Sequence, residues 1–386
     1  MAIPANQHVV IVNRNYPPRK GVTGESACLL AESLNQNPNL KISVVTVRSN
    51  YAGGGSSMEP VGEVHEIVSF YDGKQKILRL FSGFLESALL IWKAKRLRGT
   101  VTIVMTDPVF LSAIAAVLLR NKNWALWSMD LYPDAFISSN LVQPTNPLYR
   151  LLHWIVYRSP PQFLIALGKL QADYLNQQYR AKIPNTILPC GVFQPASNVP
   201  YPAWKKLNQD KIILGYCGNL GEAHSVDFLK FVLKHLDPKK YHLVLSVYGA
   251  KAQRFLDQVD AQQSGITMID GVSRQQLCLI DIHLVSLLTK WSHVCVPSKA
   301  VSAVCSGSAF VFYGTQNCDN WDMLGEAGWL IDEADATNLD SNVKNLLGQI
   351  DHTELQSKKT AARKIGEMLN DQVIQAFSRI GEMPHS

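Results

Sequence analysis

Short apolar runs bounded by Gly, Pro, Asn and Asp alternate along this chain with longer stretches whose apolar positions recur every three or four residues. Runs of the first kind suit strands buried on both faces, and the second kind suits helices laid over them, so the alternation predicts parallel α/β layering. It occurs twice. The first series predicts strands near 8–13, 41–47, 101–105, 124–129, 163–167 and 185–189, with helices over 25–35, 74–98, 109–120, 147–158 and 170–179. The second predicts strands near 211–217, 242–248, 266–269, 282–288, 309–313 and 329–331, again separated by helices.

Between the two series, 193–210 is rich in Pro, Asn and Ser and follows neither period. The expected organisation is a first domain over 1–195, a linker over 196–210, a second domain over 211–365, and a final helical segment, 366–386, crossing back to the first domain. Two Rossmann-like, doubly wound parallel sheets would then face a central cleft, with ligands bound outside the carboxyl ends of the strands. The loops after those strands are where chemistry is expected.

Composition narrows the class. With 47% hydrophobic and 18% charged residues over 386 positions, the chain is too apolar for disorder and long enough for two cores. The longest apolar stretch, 80–92, is interrupted by Ser82, Gly83, Glu86 and Ser87, which disfavours a membrane span. Residues 1–7 show no basic region leading into an apolar one, so a cytoplasmic protein is expected. Seven scattered cysteines without a C-x-x-C pair read as reduced core residues, and no metal site is expected.

The net charge of +6 is uneven: residues 1–200 hold 19 Lys and Arg against 11 Asp and Glu. Much of that excess lies in 74–98, where Ile77, Leu78, Leu80, Phe81, Phe84, Leu85, Ala88 and Leu89 precede Lys93, Lys95, Arg96 and Arg98. The simpler reading buries the apolar stripe in its own domain and leaves a solvated basic end. The other docks the helix on an anionic bilayer, peripheral at the inner face of the plasma membrane. No recognition motif accompanies the charge, so nucleic acid is not an expected partner.

Four loops carry candidate chemistry. Asn15-Tyr16-Pro17-Pro18-Arg19-Lys20-Gly21-Val22-Thr23-Gly24 runs from a strand into a helix; Gly21 and Gly24 permit positive φ and close backbone approach to a sugar or phosphate, or simply make a turn. Gly218-Asn219-Leu220-Gly221 ends the second domain's first strand and opens its first helix, offering amides at that helix N-terminus for a diphosphate, with His224 either an added donor or a capping or surface histidine. In Val296-Pro297-Ser298-Lys299, Ser298 reads as a helix cap and Lys299 as a cation for phosphate. Asp130, at the end of a strand, either holds an acceptor hydroxyl or caps a turn; Thr106-Asp107-Pro108 reads as capping. The dinucleotide fingerprint G-x-G-x-x-G and the P-loop are absent, which argues against a nicotinamide oxidoreductase.

Taken in order, Tyr16-Pro17-Pro18 with Gly21, Asp130-Leu131-Tyr132-Pro133, Gly218-Asn219-Leu220-Gly221, and Val296-Pro297-Ser298-Lys299 with Ser306-Gly307 resemble family 4 glycosyltransferases, especially the colanic-acid and capsule-biosynthesis subgroup. The resemblance spans about residues 8–350. It implies the two-domain GT-B fold, a nucleotide-diphosphate sugar donor held mainly by the second domain, a sugar or lipid-linked acceptor, and transfer with retention without an obligatory metal. On that basis Gly21 contacts the transferred sugar or β-phosphate, Gly218 to Gly221, Ser298 and Lys299 face the diphosphate, and Asp130 lies on the acceptor side. Two glutamates found in many members are replaced here by Val294 and Ser302. That departure keeps open a catalytically impaired relative acting as a sugar-nucleotide-binding or partner protein, and, because fold does not fix reaction, another GT-B enzyme such as an inverting transferase or an epimerase is the second alternative.

Overall fold

The computed structural model describes residues 7–48, 58–71, 73, 75–260 and 263–383; expectations that fall on residues 1–6 and on Lys74 lie outside these. The chain divides into two compact units, one of Met1–Cys190, Val294–Val296 and Gln372–Ser386, the other of Gly191–His293 and Pro297–Asp371.

Unit 1 holds seven parallel strands, β1 (Gln7–Val12), β2 (Leu40–Arg48), β3 (Glu63–Val68), β4 (Val101–Val104), β5 (Trp124–Trp127), β6 (Phe163–Ala166) and β7 (Asn185–Ile187), in the order β3-β2-β1-β4-β5-β6-β7. Its helices are α1 (Val22–Asn35), α2 (Lys76–Arg96), α3 (Leu111–Leu118), α4 (Asp134–Ser138), α5 (Pro147–Tyr157) and α6 (Lys169–Tyr179). The runs VVIV in β1 and FLIA in β6 are buried throughout, as a sheet covered on both faces requires. Order reverses between β1 and β4, so the loops after these two strands diverge and open a crevice at the carboxyl edge.

Unit 2 is a six-stranded parallel sheet in the order β10-β9-β8-β11-β12-β13. Its strands are β8 (Ile212–Asn219), β9 (Tyr241–Tyr248), β10 (Ile266–Met268), β11 (Ile282–Ser286), β12 (Ala309–Gly314) and β13 (Gly328–Asp332). The helices are α7 (Ala203–Lys206), α8 (Val226–Lys234), α9 (Ala252–Leu256), α10 (Ser298–Cys305), α11 (Asp319–Leu324), α12 (Leu339–Gln349) and α13 (His352–Gly381). Tyr216, Phe228, Leu243, Phe255 and Val311 fill its core. Here the order reverses between β8 and β11, which pair at Ile282 with Leu214 and at His283 with Gly215 and then part as both run on toward the carboxyl edge.

The strand β3 has no counterpart in the sequence reading. It is an edge strand paired with β2 along its whole length, and its side chains Glu63, His65 and Glu66 are charged or polar rather than apolar: Lys41 meets Glu63 at 2.9 Å, and Arg19 and Arg48 meet Glu66 at 2.6 and 2.7 Å. The stretch 193–210 carries α7, a single turn too short to show a period; its Trp204 is buried against Ile213, Val244, Leu279 and Ile280. The division between units runs through α13, between Asp371 and Gln372.

Helix α2 corrects the simpler reading of its stripe. Ile77 is 81% exposed and Phe81 63%, whereas Ser82, Glu86, Ser87, Leu90, Ile91 and Ala94 are buried. The cause is polar: the Glu86 carboxylate accepts hydrogen bonds from the Ser69 and Ser82 hydroxyls, both at 2.8 Å, and lies 3.5 Å from the Arg14 guanidinium. Satisfying that buried carboxylate turns the polar face inward and the bulky apolar side chains outward.

Candidate functional site

In unit 2 the candidate site lies at the switch point between β8 and β11. Gly218 has φ +126°, a conformation that disfavours any side chain, and a Cβ there would stand 3.1 Å from Lys299 Cε. Leu220 then drops into the core and donates its N–H to Tyr248 O at 2.6 Å, so it is a packing residue and not a ligand contact as expected. Beyond it the N–H groups of Gly221, Glu222 and Ala223 take no hydrogen bond among the described residues. These amides do not belong to a helix N-terminus, a second correction: α8 begins only at Val226, with Ser225 as its cap accepting from Phe228 N. Successive unbonded amides in a turn are the kind of feature that can accept an anion.

Lys299 comes to this turn from the first turn of α10. Its Nζ donates to Asn219 O at 2.7 Å and to His224 Nε2 at 2.9 Å, and lies 5.1 Å from the Tyr216 ring centroid. His224 is buried, neither a cap nor a surface residue, and its Nδ1 lies 2.5 Å from Ser286 O. A carbonyl accepts only from a protonated nitrogen, so Nδ1 carries the proton and Nε2 offers its lone pair to Lys299. Burial, with the charge of Lys299 beside it, pulls the His224 pKa down to about 3. His224 is therefore a neutral acceptor that aims the lysine, and not the added donor expected. Ser298 is the first helical residue of α10 while Pro297 occupies the cap position, and no side chain caps the helix, so the cap reading of Ser298 falls.

Lys251, after β9, was not singled out in the sequence. Its Nζ donates to Glu222 O at 3.1 Å and His224 O at 3.0 Å, pinning the turn and placing a second cation beside it. A lysine just past a strand that neighbours β8 at the carboxyl edge is the only signal the sequence carries for it.

In unit 1 the corresponding loops follow β1, β4 and β5. Gly21 is the N-cap of α1 with φ 168°, ordinary extended backbone, and Gly24 is inside the helix, so neither uses positive φ as expected. Gly24 is needed for space: a Cβ would sit 2.8 Å from Asn15 O and 2.9 Å from Asn15 C. Its role is to seat the loop on α1. Gly24→Ala is expected to lower unfolding stability by about 1–3 kcal/mol, through overpacking against backbone, as read in a urea titration.

Asp130 is held from behind. Thr106 Oγ1 accepts from Met129 N at 3.2 Å and Asp130 N at 3.1 Å, and buried Gln171 donates Nε2–H to Met129 O at 3.2 Å while accepting from Ser128 Oγ at 2.9 Å. Thr106 thus braces this loop, and Asp107 accepts from Asn15 Nδ2 at 2.9 Å; neither caps a helix, against expectation. The structural carboxylate is Asp134, which takes the Tyr157 and Tyr174 hydroxyls, each at 2.6 Å. The Asp130 carboxyl accepts no hydrogen bond among the described residues. Its residue is open to solvent on one side, yet the surrounding protein removes enough water, helped by Asp107, to push its pKa up to about 6.

Val294 is fully buried and the Ser302 hydroxyl donates to Gly191 O at 2.9 Å, so both positions serve packing. Among the described residues no group of three or more His, Cys, Asp and Glu side chains converges as metal ligands, and no helix is long and apolar enough to cross a membrane.

No protein-family model and no curated protein matches the sequence. Solved structures do. Sucrose-phosphate synthase from Thermosynechococcus elongatus superposes with a TM-score of 0.69 at 14% identity, covering 98% of this chain and 99% of that one. HepE from Anabaena, in complex with UDP and glucose, gives 0.62 at 12% identity over 97% and 98%. WaaG, a glycosyltransferase involved in lipopolysaccharide biosynthesis, gives 0.66 at 12% identity over 97% and 99%. With its two parallel α/β units, of seven and six strands, this chain therefore has the GT-B fold.

Proposed function

We propose that the chain is a glycosyltransferase that moves a sugar from a nucleotide-diphosphate donor to an acceptor with retention of configuration. The observation that carries this reading is the meeting, at one switch point, of three unbonded amides with a lysine fixed by Asn219 O and His224. Such a set stabilises charge that grows on a departing diphosphate, and its geometry is in place before the reaction begins. Unit 2 would hold the donor and unit 1 the acceptor, a sugar or lipid-linked sugar whose hydroxyl hydrogen-bonds to Asp130. In the transfer, the bond from the anomeric carbon to the β-phosphate oxygen breaks and one to the acceptor oxygen forms on the same face. The hydroxyl proton leaves with help from the Asp130 carboxylate. HepE was solved with UDP and glucose, and WaaG is described as a lipopolysaccharide enzyme, which makes UDP-hexoses and lipid-linked acceptors the first ones to try.

The test is a thermal-shift screen of nucleotide sugars, since a ligand that binds the native state raises its melting temperature, followed by mass spectrometry of products with lipid-linked and soluble acceptors. The expected result is a shift by one donor class and a glycosylated product that still forms in EDTA. Conversion of the nucleotide sugar alone would mean an epimerase. Because Val294 and Ser302 bring no carboxylate, a second reading is kept: UDP binding with no product under any acceptor would identify an impaired, binding-only relative.

A further inference from the structure

The outward face of α2 is part of a larger surface. Helix α3 packs against both α2 and α5, and the Phe84 and Phe110 rings meet edge-on at 5.8 Å, so the three helices make one layer. Across it Ile77, Phe81, Trp92, Val117, Leu148 and Trp154 are all exposed, Leu148 by 75% and Trp154 by 54%. A folded chain rarely leaves so much large apolar side chain in water unless something covers it.

The charge on this layer has one sign. The only acid on α2 is the buried Glu86, and α3 and α5 contain none. Each of these helices runs into the next strand of a parallel sheet, so their C-terminal ends lie along one edge, and cations collect there: Lys95 and Arg96 on α2, Arg120 after α3 and Arg158 after α5, all exposed. Two of them stack on the tryptophans of the apolar face, Arg96 at 3.6 Å from Trp92 and Arg158 at 4.4 Å from Trp154. Apolar side chains beside a cationic rim, with Trp and Arg at the boundary, match the layering of a lipid surface: acyl chains, then the glycerol ester boundary, then the anionic phosphate of the headgroup. A second copy of the same face would set cation against cation.

We propose that the α2–α3–α5 layer of unit 1 docks on a bilayer that carries acidic lipid, with the apolar side chains entering the headgroup boundary and the rim of Lys and Arg meeting lipid phosphate. The N-terminal end of α2 lies at the opposite, carboxyl edge of the sheet, where Arg79 acts on the charge of Asp107. Docking would bring that edge to the membrane, where a lipid-linked acceptor resides; this last step rests on the transfer reading, whereas docking does not.

The test needs neither donor nor acceptor, so its outcome is separate from that of the transfer reading. The full chain is sedimented at low and high salt with phosphatidylcholine vesicles, with and without phosphatidylglycerol. Binding is expected with the acidic vesicles and should weaken as salt rises, because exposed charges are screened. Each surface cation contributes about a fivefold factor to binding an acidic membrane, so K95E/R96E should bind at least about tenfold more weakly. I77S/F81S should lose a comparable factor, both pairs keeping the melting temperature of the parent. Absence of binding to acidic vesicles at low salt would overturn the proposal. So would binding that neither pair weakens, or a dimer in sedimentation velocity that I77S/F81S abolishes while the parent ignores vesicles.

Discussion

Replacing Lys299 by Ala is expected to lower kcat by about 100-fold to 1,000-fold, the range seen when one preorganised donor to developing charge is removed. The side chain is already in position: its ammonium is bonded to Asn219 O at 2.7 Å and to His224 Nε2 at 2.9 Å, and its stem lies along Gly218. Little has to reorganise as the diphosphate departs, so the loss should appear in kcat more than in KM for the donor. Arg should not rescue, since a planar guanidinium cannot occupy a niche shaped for a compact ammonium between a carbonyl and an imidazole. His224→Ala should cost part of the same factor. In a double-mutant cycle the two losses should be far from additive, because the histidine acts through the lysine. Steady-state rates for the four proteins decide it, and additive losses would remove His224 from the role of aiming Lys299. His224 itself should add no limb to the pH–rate profile near neutrality, because it stays neutral down to about 3.

What the sequence discloses about this molecule depends on whether a residue's neighbours are local. The buried strands β1, β4, β5 and β6 are visible because a sheet covered on both faces demands continuous apolar runs. The turn at Gly218–Gly221 and Lys299 are visible because glycine and a lysine after Pro-Ser at strand ends are local signals, and the structure brings the two into contact. Hidden features rest on partners distant in sequence. Strand β3 pairs with β2 and finds its charge partners in Lys41, Arg19 and Arg48, and the orientation of α2 is set by Arg14 and Ser69 around Glu86. The neutral state of His224 comes from its burial and from Lys299, its tautomer from Ser286, and Lys251 reaches the site from the end of the adjacent strand β9. The cap position expected at Ser298 falls one residue earlier, on Pro297, which has no side-chain acceptor, and a one-residue shift in a helix start leaves no local mark in the sequence.

Asp130→Asn should reduce turnover by about 100-fold to 10,000-fold, the span of general base assistance, and should also change the pH profile. The wild-type rate should rise through pH about 6 as the Asp130 carboxyl ionises, since only the carboxylate can accept the acceptor hydroxyl's proton. In the Asn variant that limb should vanish, leaving a low rate that is flat across it. Stability should move the other way. The water displaced by the surrounding protein, together with Asp107, raises the folded pKa above the unfolded value near 3.9, so the folded state binds the proton more tightly, and the wild type loses stability as pH climbs from about 4 through about 6. The neutral amide escapes that loss, so at pH 8 the variant should melt at a higher temperature than the wild type, with the difference shrinking toward pH 4. A residue kept for packing would show the reverse, lower stability on replacement and an unaltered rate profile. Thermal melts and initial rates across that pH range, on the same two proteins, separate the outcomes; a variant that keeps the acid limb would place the titrating base elsewhere, with Asp107, whose pKa burial also raises, the next group to replace.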